Sequence, residues 1–198
     1  MIVGHYATAL IPYSKMDRKA PLWLFLLCAN LADFLWIFLG LIGIEATNPS
    51  SLWLATFQNL SVEMTYSHNA LPSFILALII FGFVYLFTRS IRVSLWCGVL
   101  ILVHFLSDLL SGYEHHWVGP DSPILGLGLY TKNTYLALTI EAAFGALCLL
   151  WYIRQEKSKG RIIRKSKQLA LYAIFILGAL IWIPTATIPL GDLLKRFF

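Results

Sequence analysis

Three of the ten acidic residues in this 198-residue chain lie inside long apolar stretches: Asp33, Asp108 and Glu141. A charge at the centre of an apolar helix in lipid costs about 2.5–3.5 kcal/mol on insertion scales, so such residues usually face a partner, a metal ion or a water-filled cavity. His104 precedes Asp108 by four residues in HFLSDLL, and this spacing places both side chains on one face of a helix. The imidazole and the carboxylate can therefore bind one cation.

Two further histidines can join this pair. His5 lies in GHYATAL near the N-terminus, and His68 lies in TYSHN directly before another apolar stretch. At 1.5 Å per residue from the basic side of the chain, Asp33 and His104 lie about 16–18 Å deep and Asp108 about 22 Å. His5 reaches about 13–15 Å if its segment enters the bundle, and His68 has to dip inward from the opposite side. The sequence thus predicts a metal site of three imidazoles and two carboxylates: His5, Asp33, His68, His104 and Asp108.

This ligand set suits Zn²⁺ first, with Mn²⁺ and Fe as alternatives, whereas Mg²⁺ and Ca²⁺ prefer more oxygen ligands. The ordinary alternatives for the HxxxD pair are a structural hydrogen bond and a proton relay. Glu141 is assigned a polar lining role, with a sixth ligand, a general base or a partner behind the ligands left open. His115 and His116, in GYEHHW, fall in a predicted loop, where a solvated or interfacial position is expected.

The composition is that of an integral membrane protein. Hydrophobic residues make up 59% of the chain and charged residues 13%, and the mean hydropathy is +0.73. Soluble domains average about 45–50% apolar and about 25% charged residues. These values exclude a disordered chain, a collagen-like chain and an ordinary cytosolic enzyme. The net charge is +5, but the basic residues cluster between apolar stretches, so membrane lipid and not nucleic acid is the expected partner. Cys28, Cys97 and Cys148 lie in apolar stretches and predict no disulfide framework.

Five apolar stretches are long enough, or nearly so, to cross about 30 Å of hydrocarbon. Each is predicted to be helical, because lipid leaves no partner for an unpaired backbone group. The stretches are Pro21–Ile44, Ala70–Thr88, Val93–Leu110, Thr134–Ile153 and Leu169–Leu190. We therefore predict an all-α, polytopic bundle of about five transmembrane helices that forms a single integral membrane domain over residues 1–198.

The basic residues predict the orientation. If the spans alternate, twelve of the fifteen lysines and arginines fall on one side, seven of them between residues 154 and 167. The positive-inside rule places that side in the cytoplasm and the C-terminus outside, in a plasma (inner) membrane. The stretch 154–167 is expected to anchor to anionic lipid. The other side holds only Lys132, Lys195 and Arg196.

The N-terminal stretch Ile2–Tyr13 is apolar but about 18 Å long as a helix, which is too short to span. No basic residue precedes it and no small-residue cleavage site follows, so a signal peptide is not expected. Two alternatives stay open: a re-entrant helix that enters the bundle, and an interfacial amphipathic helix on the membrane surface.

The motifs GHYATAL, LADFLW, TYSHN and HFLSDLL occur in this order, followed by GLGLY and TIEAAFG. Together, over roughly residues 4–145, they resemble the prokaryotic membrane-bound metal-dependent hydrolases, an inner-membrane family likened to zinc-dependent phospholipase C. The resemblance implies a metal site built from the histidines and aspartates of these motifs. The chain departs from the commoner branch, which has Asp-x-Asp-His where Asp33 is followed by Phe34, and Thr-His-Ser at Ser67-His68-Asn69. With fewer acids, one metal is expected.

The leading hypothesis is a metal-dependent hydrolase acting on a lipid-borne or amphiphilic substrate, with a phosphoester favoured. A bound cation would ionise its water near neutral pH, and Asp33 or Glu141 would take the proton. Tyr66, Ser67 and Asn69 would donate hydrogen bonds to a head group. The alternatives are an ion- or proton-coupled transporter or channel, and a catalytically silent scaffold with a structural metal. Without an internal repeat, five spans are few for a transporter unless the chain forms a homo-oligomer.

Overall fold

The computed structural model describes residue 1 and residues 3–195, so Ile2 of the predicted N-terminal stretch and Arg196 lie outside the described residues. Within them the chain is mainly helical. The helices are α1 (Gly4–Thr8), α2 (Leu10–Lys15), α3 (Leu22–Ala29), α4 (Leu31–Leu41), α5 (Ala70–Thr88), α6 (Ile91–Ser111), α7 (Leu129–Lys132), α8 (Thr134–Ser158), α9 (Lys165–Tyr172), α10 (Gly178–Leu180) and α11 (Leu190–Lys195). Four helical stretches are long and apolar enough to cross a membrane, and a bent helix pair makes a fifth if it is one span. The predicted class of helical membrane bundle is therefore confirmed, with four to five candidate spans.

The N-terminal helices α1 and α2 are packed inside the bundle, where they contact α3 and α8. His5, Ala7 and Ala9 are fully buried. After α2 the chain reverses through Asp17 and Arg18, both in the left-handed backbone region. The segment is thus short, as predicted, and it is covered on most sides by other helices.

The first predicted span is broken at Asn30, where the axes of α3 and α4 differ by 56°. Asn30 leaves the helical region (φ −121°, ψ 15°), and its side-chain amide donates to the Leu26 carbonyl. Asparagine competes for backbone groups in this way and therefore favours helix ends. The break leaves Asp33 in the first turn of α4, where the helix dipole stabilises a negative charge.

Helices α5 and α6 form an antiparallel hairpin that turns at Arg89 and Ser90. Arg89 takes a left-handed conformation, and the Ser90 hydroxyl accepts the amide of Val93 to begin α6. Most of α5 is exposed and apolar, as expected for a helix that faces lipid. The buried face of α6 carries His104 and Asp108.

The last predicted span, Leu169–Leu190, is not one regular helix. α9 continues through a π-helical turn at Ala173–Leu177, then α10, and ends in a 3₁₀ turn at Ile183–Ala186. The π turn packs Phe175 onto α8 at Gly145, where an added Cβ would lie 3.2 Å from the Phe175 Cβ. Pro184 lacks an amide donor, which explains why the regular helix has ended before it.

Two short strand pairs occupy connections that were predicted as loops. β1 (Thr47–Asn48) pairs antiparallel with β2 (Ser61–Val62), and β3 (His115–His116) pairs antiparallel with β4 (Ile124–Leu125). These connections bond to one another and to the end of the last span: the Asn69 side chain donates to the Val118 carbonyl and accepts the His116 amide, and the Phe57 amide donates to the Thr185 carbonyl. They close one end of the bundle.

The opposite end gathers the basic segments around Glu156. This fully buried carboxylate near the end of α8 accepts from Ser14 (2.7 Å), Arg18 (2.5 Å) and Arg161 (2.8 and 2.9 Å). Lys159 reaches Asp17 at 2.7 Å across the same junction, and its hydrogen bond and charge hold the pKa of Asp17 below its usual value. The turn after α2 and the end of α8 are therefore joined by charge. The three cysteines are free and buried elsewhere in the bundle.

Candidate metal centre and cavity

All five predicted ligands meet inside the bundle. His5 comes from α1, Asp33 from α4, His68 from the turn before α5, and His104 and Asp108 from α6. They form two groups that share His104, one with His5 and Asp108 and the other with Asp33 and His68. In each group the candidate ligand atoms lie within 4.8 Å of one another. A buried His/Asp group that could hold a metal ion is therefore present.

The distances among Asp33, His68 and His104 are close to those between ligands of a tetrahedral metal site, and Asp108 lies beside His104. This nitrogen lies 3.3 Å from His68 Nε2, 3.4 Å from Asp108 Oδ2 and 3.7 Å from Asp33 Oδ1. His68 Nε2 lies 3.3 Å from the same Asp33 oxygen. Ligands held about 2.0–2.1 Å from zinc in a tetrahedron are about 3.3–3.4 Å apart. The residues present therefore fit a bound transition metal.

The helix break orients His104. Its Nδ1 lies 2.8 Å from the Ala29 carbonyl, at the end of α3. A carbonyl can only accept, so Nδ1 carries the proton and Nε2 presents its lone pair to the cluster. The last carbonyls of a helix lack intrahelical donors, so the break at Asn30 supplies the acceptor. This arrangement is the usual support of a metal-binding histidine.

A second hydrogen-bond chain orients His68. Its Nδ1 lies 2.8 Å from the Ser67 hydroxyl, which donates to Glu45 at 2.6 Å. Because a carboxylate only accepts, the hydroxyl must receive the His68 Nδ1 proton, which leaves His68 Nε2 free as a ligand. Glu45 is buried and also accepts the amides of Tyr66 and Ser67.

Glu45 was not among the site residues predicted from the sequence. Its position directly after the first apolar stretch is the only signal that the sequence carries, and its partner His68 lies 23 residues away without a regular spacing. The three residues predicted to bind substrate are also placed differently. The Ser67 hydroxyl is committed to Glu45 and His68, and Asn69 bonds the backbone at Val118 (3.1 Å) and His116 (2.8 Å). Tyr66 is 59% exposed, and none of the three lines the cavity described below.

The two groups differ in access. The backbone nitrogen of Met1 contacts Asp108 Oδ1 and lies 2.9 Å from His5 Nε2, so an ion bound by His5 and Asp108 has to displace it. Asp33 and Asp108 both line a cavity, but the Asp33 side chain is 33% exposed and that of Asp108 only 7%. The group of Asp33, His68 and His104 is the more accessible metal position, with Asp108 beside it.

Glu141 lies behind the cluster and not in it. One of its oxygens accepts the amides of Val3 and of Gly4 (3.0 Å), and the other accepts the Tyr130 hydroxyl (3.0 Å). The side chain is fully buried. These contacts fix the beginning of α1, and so the position of His5. These contacts make Glu141 a positioning residue, which is one of the alternatives that the sequence left open; its role as a general base stays a prediction.

A cavity of about 490 Å³ opens above the metal candidates. Asp33, His68 and Asp108 lie on its wall together with His115. The rest of the lining is mainly apolar and comes from α4, the connection before α5, and the end of the last span, with Phe34, Ile37, Leu52, Leu60, Trp182 and Leu190 among its members. Ligand sites commonly have this size and this mixture of apolar wall and few polar groups.

His115 is buried, contrary to the predicted solvated or interfacial position. It is 1% exposed, and its ring lies parallel to that of His68 with the centroids 5.9 Å apart. Burial lowers the pKa of His115 to about 3. Neither ring nitrogen has a hydrogen-bond partner among the described residues. His116 points the other way along β3, and its Nδ1 lies 3.0 Å from the Ser122 carbonyl.

No family model, curated protein or solved structure matches this chain. The resemblance of its motifs to membrane-bound metal-dependent hydrolases therefore stays an expectation from sequence. The function has to be argued from the cluster of histidines and aspartates and from the cavity beside it.

Proposed function

We propose that the protein is a membrane-embedded, metal-dependent hydrolase that acts on an amphiphilic, lipid-borne substrate. The observation that carries the proposal is the convergence of three histidines and two aspartates beside a largely apolar cavity, which Asp33, His68 and Asp108 line. In His68 and in His104, Nδ1 donates to an acceptor and Nε2 faces the other candidate ligands. Histidines that bind a metal through Nε2 usually have Nδ1–H held by an acceptor in this way, so the orientation favours metal binding over a purely structural hydrogen bond.

Asp33, His68 and His104 would hold the ion, with Zn²⁺ favoured by the nitrogen-rich set. Such an ion would lower the pKa of a bound water to near neutral pH. The ion would also polarise a substrate oxygen. Asp33 faces His68 and His104 through Oδ1, which leaves Oδ2 to take the proton of the attacking water. Asp108 offsets the charge of the ion from the buried side. Glu141 holds α1 in place and moves no proton in this scheme.

The cavity favours an amphiphile because a few polar groups, Asp33, His68 and Asp108 among them, line it together with mainly apolar side chains. The resemblance to zinc-dependent phospholipase C favours a phosphoester as the scissile bond. The basic end of the bundle would face the cytoplasm of a plasma membrane, with the N-terminal segment re-entrant and the C-terminus outside. The cavity, at the other end, would then receive head groups in the outer half of the bilayer.

Elemental analysis of detergent-purified protein tests the proposal. Wild type should carry about one transition metal per chain, His104→Ala should lose it, and His116→Ala, whose ring faces away from the cluster, should keep it. Metal-loaded wild type should release product from phosphoester lipids. A folded wild type without metal that also takes up neither Zn²⁺ nor Mn²⁺ contradicts the proposal. Ion flux in proteoliposomes without any product would favour the transporter alternative.

A second candidate is a structural metal, because the ligands tie α1, α4, α6 and the turn before α5 together. A structural site fills all its positions with protein ligands, whereas a catalytic site keeps one open. Asp33→Ala separates the two. The hydrolase should lose turnover and stay folded, while the scaffold should lose its cooperative thermal unfolding.

A further inference from the structure

The unpaired polar groups of this protein are concentrated at one place. Six buried side-chain nitrogen and oxygen atoms have no hydrogen-bond partner among the described residues. Five of them belong to four residues that line the same cavity: Asn30, Trp36, Tyr113 and His115. Buried polar groups in native proteins are usually paired with protein, water, an ion or a ligand. The concentration therefore points to a ligand that pairs with them.

The chemistry of these groups describes the ligand. The indole of Trp36 can only donate, the hydroxyl of Tyr113 can donate, and the His115 ring carries an N–H in either protonation state. Three unpaired donors that line one cavity call for a group with several acceptor oxygens. The donors also share the cavity with Asp33 and His68, so that group would lie next to the candidate metal.

We propose that Trp36, Tyr113 and His115 bind the phosphoryl head group of the amphiphilic substrate. The inference rests on the proposed function and adds to it the residues that recognise the head group. A tetrahedral phosphoryl group offers enough oxygens for three donors and a cation together, whereas a carboxylate has only two oxygens. Asp33 and Asp108 repel an anion, and a bound cation offsets that repulsion, so the head group binds more tightly to metal-loaded protein. The attached chain lies along the apolar wall.

Binding to the full chain in maltoside detergent tests the inference with ligands that share one chain length. Dodecyl phosphate is the probe, and laurate, dodecyltrimethylammonium and inorganic phosphate are compared with it by isothermal titration, before and after loading with zinc. Tyr113→Phe and His115→Phe remove one donor site each. His116→Phe is the matched control, because His116 is the neighbour of His115 in β3 and does not line the cavity. Metal content is measured separately for each variant.

We expect dodecyl phosphate to bind more tightly than the other three ligands. Its affinity should fall about tenfold or more in each donor variant and stay unchanged in the control. Metal content should be retained in all of them. Equal affinity of wild type and both donor variants, with metal still bound, overturns the inference and leaves the hydrolase proposal intact. Loss of metal in His115→Phe overturns it as well, since His115 is then a metal ligand.

Two further outcomes separate the inference from the proposed function. If wild type takes up no metal but still binds dodecyl phosphate through Tyr113 and His115, the hydrolase proposal fails and the head-group site stands. If inorganic phosphate binds as tightly as dodecyl phosphate, the apolar wall contributes nothing to binding, and the inference that the ligand is amphiphilic is wrong. Should His115→Phe fail to fold, Tyr113→Phe decides, because the Tyr113 hydroxyl makes no hydrogen bond whose loss would destabilise the fold.

Discussion

Buried carboxylates at the two ends of the bundle are neutralised in different ways. Glu156 is surrounded by permanent donors, two arginine side chains and a serine hydroxyl, and both of its oxygens are paired. Asp33 and Asp108, at the other end, face the Nε2 atoms of His68 and His104, which donate only when the ring is protonated because Nδ1 carries the proton of the neutral ring. Asp108 also accepts from the Met1 nitrogen. A cavity adjoins the second cluster and its wall carries unpaired polar groups.

The difference separates a carboxylate that holds the fold together from carboxylates that await a ligand. Both oxygens of Glu156 are already hydrogen-bonded, so neither is available to a metal or a substrate. Removing Glu156 would leave the charges of Arg18 and Arg161 without their partner. A cluster of imidazole lone pairs and carboxylate oxygens has the opposite character, because it is completed by adding a cation. Mutations at the two ends should therefore affect different quantities.

The largest effect is expected at the imidazole cluster. His104→Ala should abolish metal binding and lower the turnover of phosphoester lipid by at least about 10³-fold, because the water that the ion ionises is lost. Metal content and product release measured on the same preparation check this. His116→Ala serves as the matched histidine control. Turnover that survives in a metal-free His104→Ala protein would show that the comparison between the two ends is mistaken.

Removing the acid at the other end should change stability and leave the metal in place. Glu156→Ala strips the partners from Arg18, Arg161 and Ser14. Breaking a buried pair costs about 3–5 kcal/mol, but Arg18 is 41% exposed and Arg161 32% exposed, so water recovers part of this. We expect about 2–3 kcal/mol less stability and a lower thermal midpoint in detergent. Loss of metal in this variant would contradict the division of roles.

A smaller effect is expected from the carboxylate behind His68. Glu45→Gln keeps the shape of the side chain but lets the amide donate to Ser67, so the hydroxyl no longer has to accept the His68 Nδ1 proton. Disturbing such a partner costs about 10–100-fold in metal affinity. Competition with a chelator measures this shift. Glu63→Gln is the control, since among residue 1 and residues 3–195 the Glu63 carboxylate bonds only an exposed loop amide, that of Ala46, at 3.3 Å.

The ligands were predictable from the sequence because polar residues are costly in apolar segments. Asp33, His104 and Asp108 stand out in their spans, and counting residues placed them at similar depth. What the counting could not provide were the contacts that orient these ligands. The break at Asn30 and the Glu45–Ser67–His68 chain depend on tertiary contacts of irregular segments, which carry no periodic signal.

The same reasoning explains the errors. His115 was expected to be solvated or interfacial because it falls in a predicted loop, but β3 pairs with β4 and turns the side chain inward next to His68. Glu141 was a candidate general base because it lies inside a span, and the N-terminal backbone that it binds cannot be placed from sequence. Helix existence was predictable from hydropathy, while breaks and loop contacts were not.

The smallest effect is expected at Tyr113, whose ring packs 5.2 Å from that of Tyr130 near the cavity. The Tyr130 hydroxyl donates to Glu141, whereas the Tyr113 hydroxyl is buried without a partner among the described residues. Tyr130→Phe should cost about 1.5–3 kcal/mol, because it removes a hydrogen bond to a buried carboxylate. Tyr113→Phe should leave stability unchanged or slightly higher, because it deletes an unpaired polar group. Thermal unfolding in detergent without ligand measures both, and equal losses would mean that the Tyr113 hydroxyl is paired in the resting protein and is not reserved for a ligand.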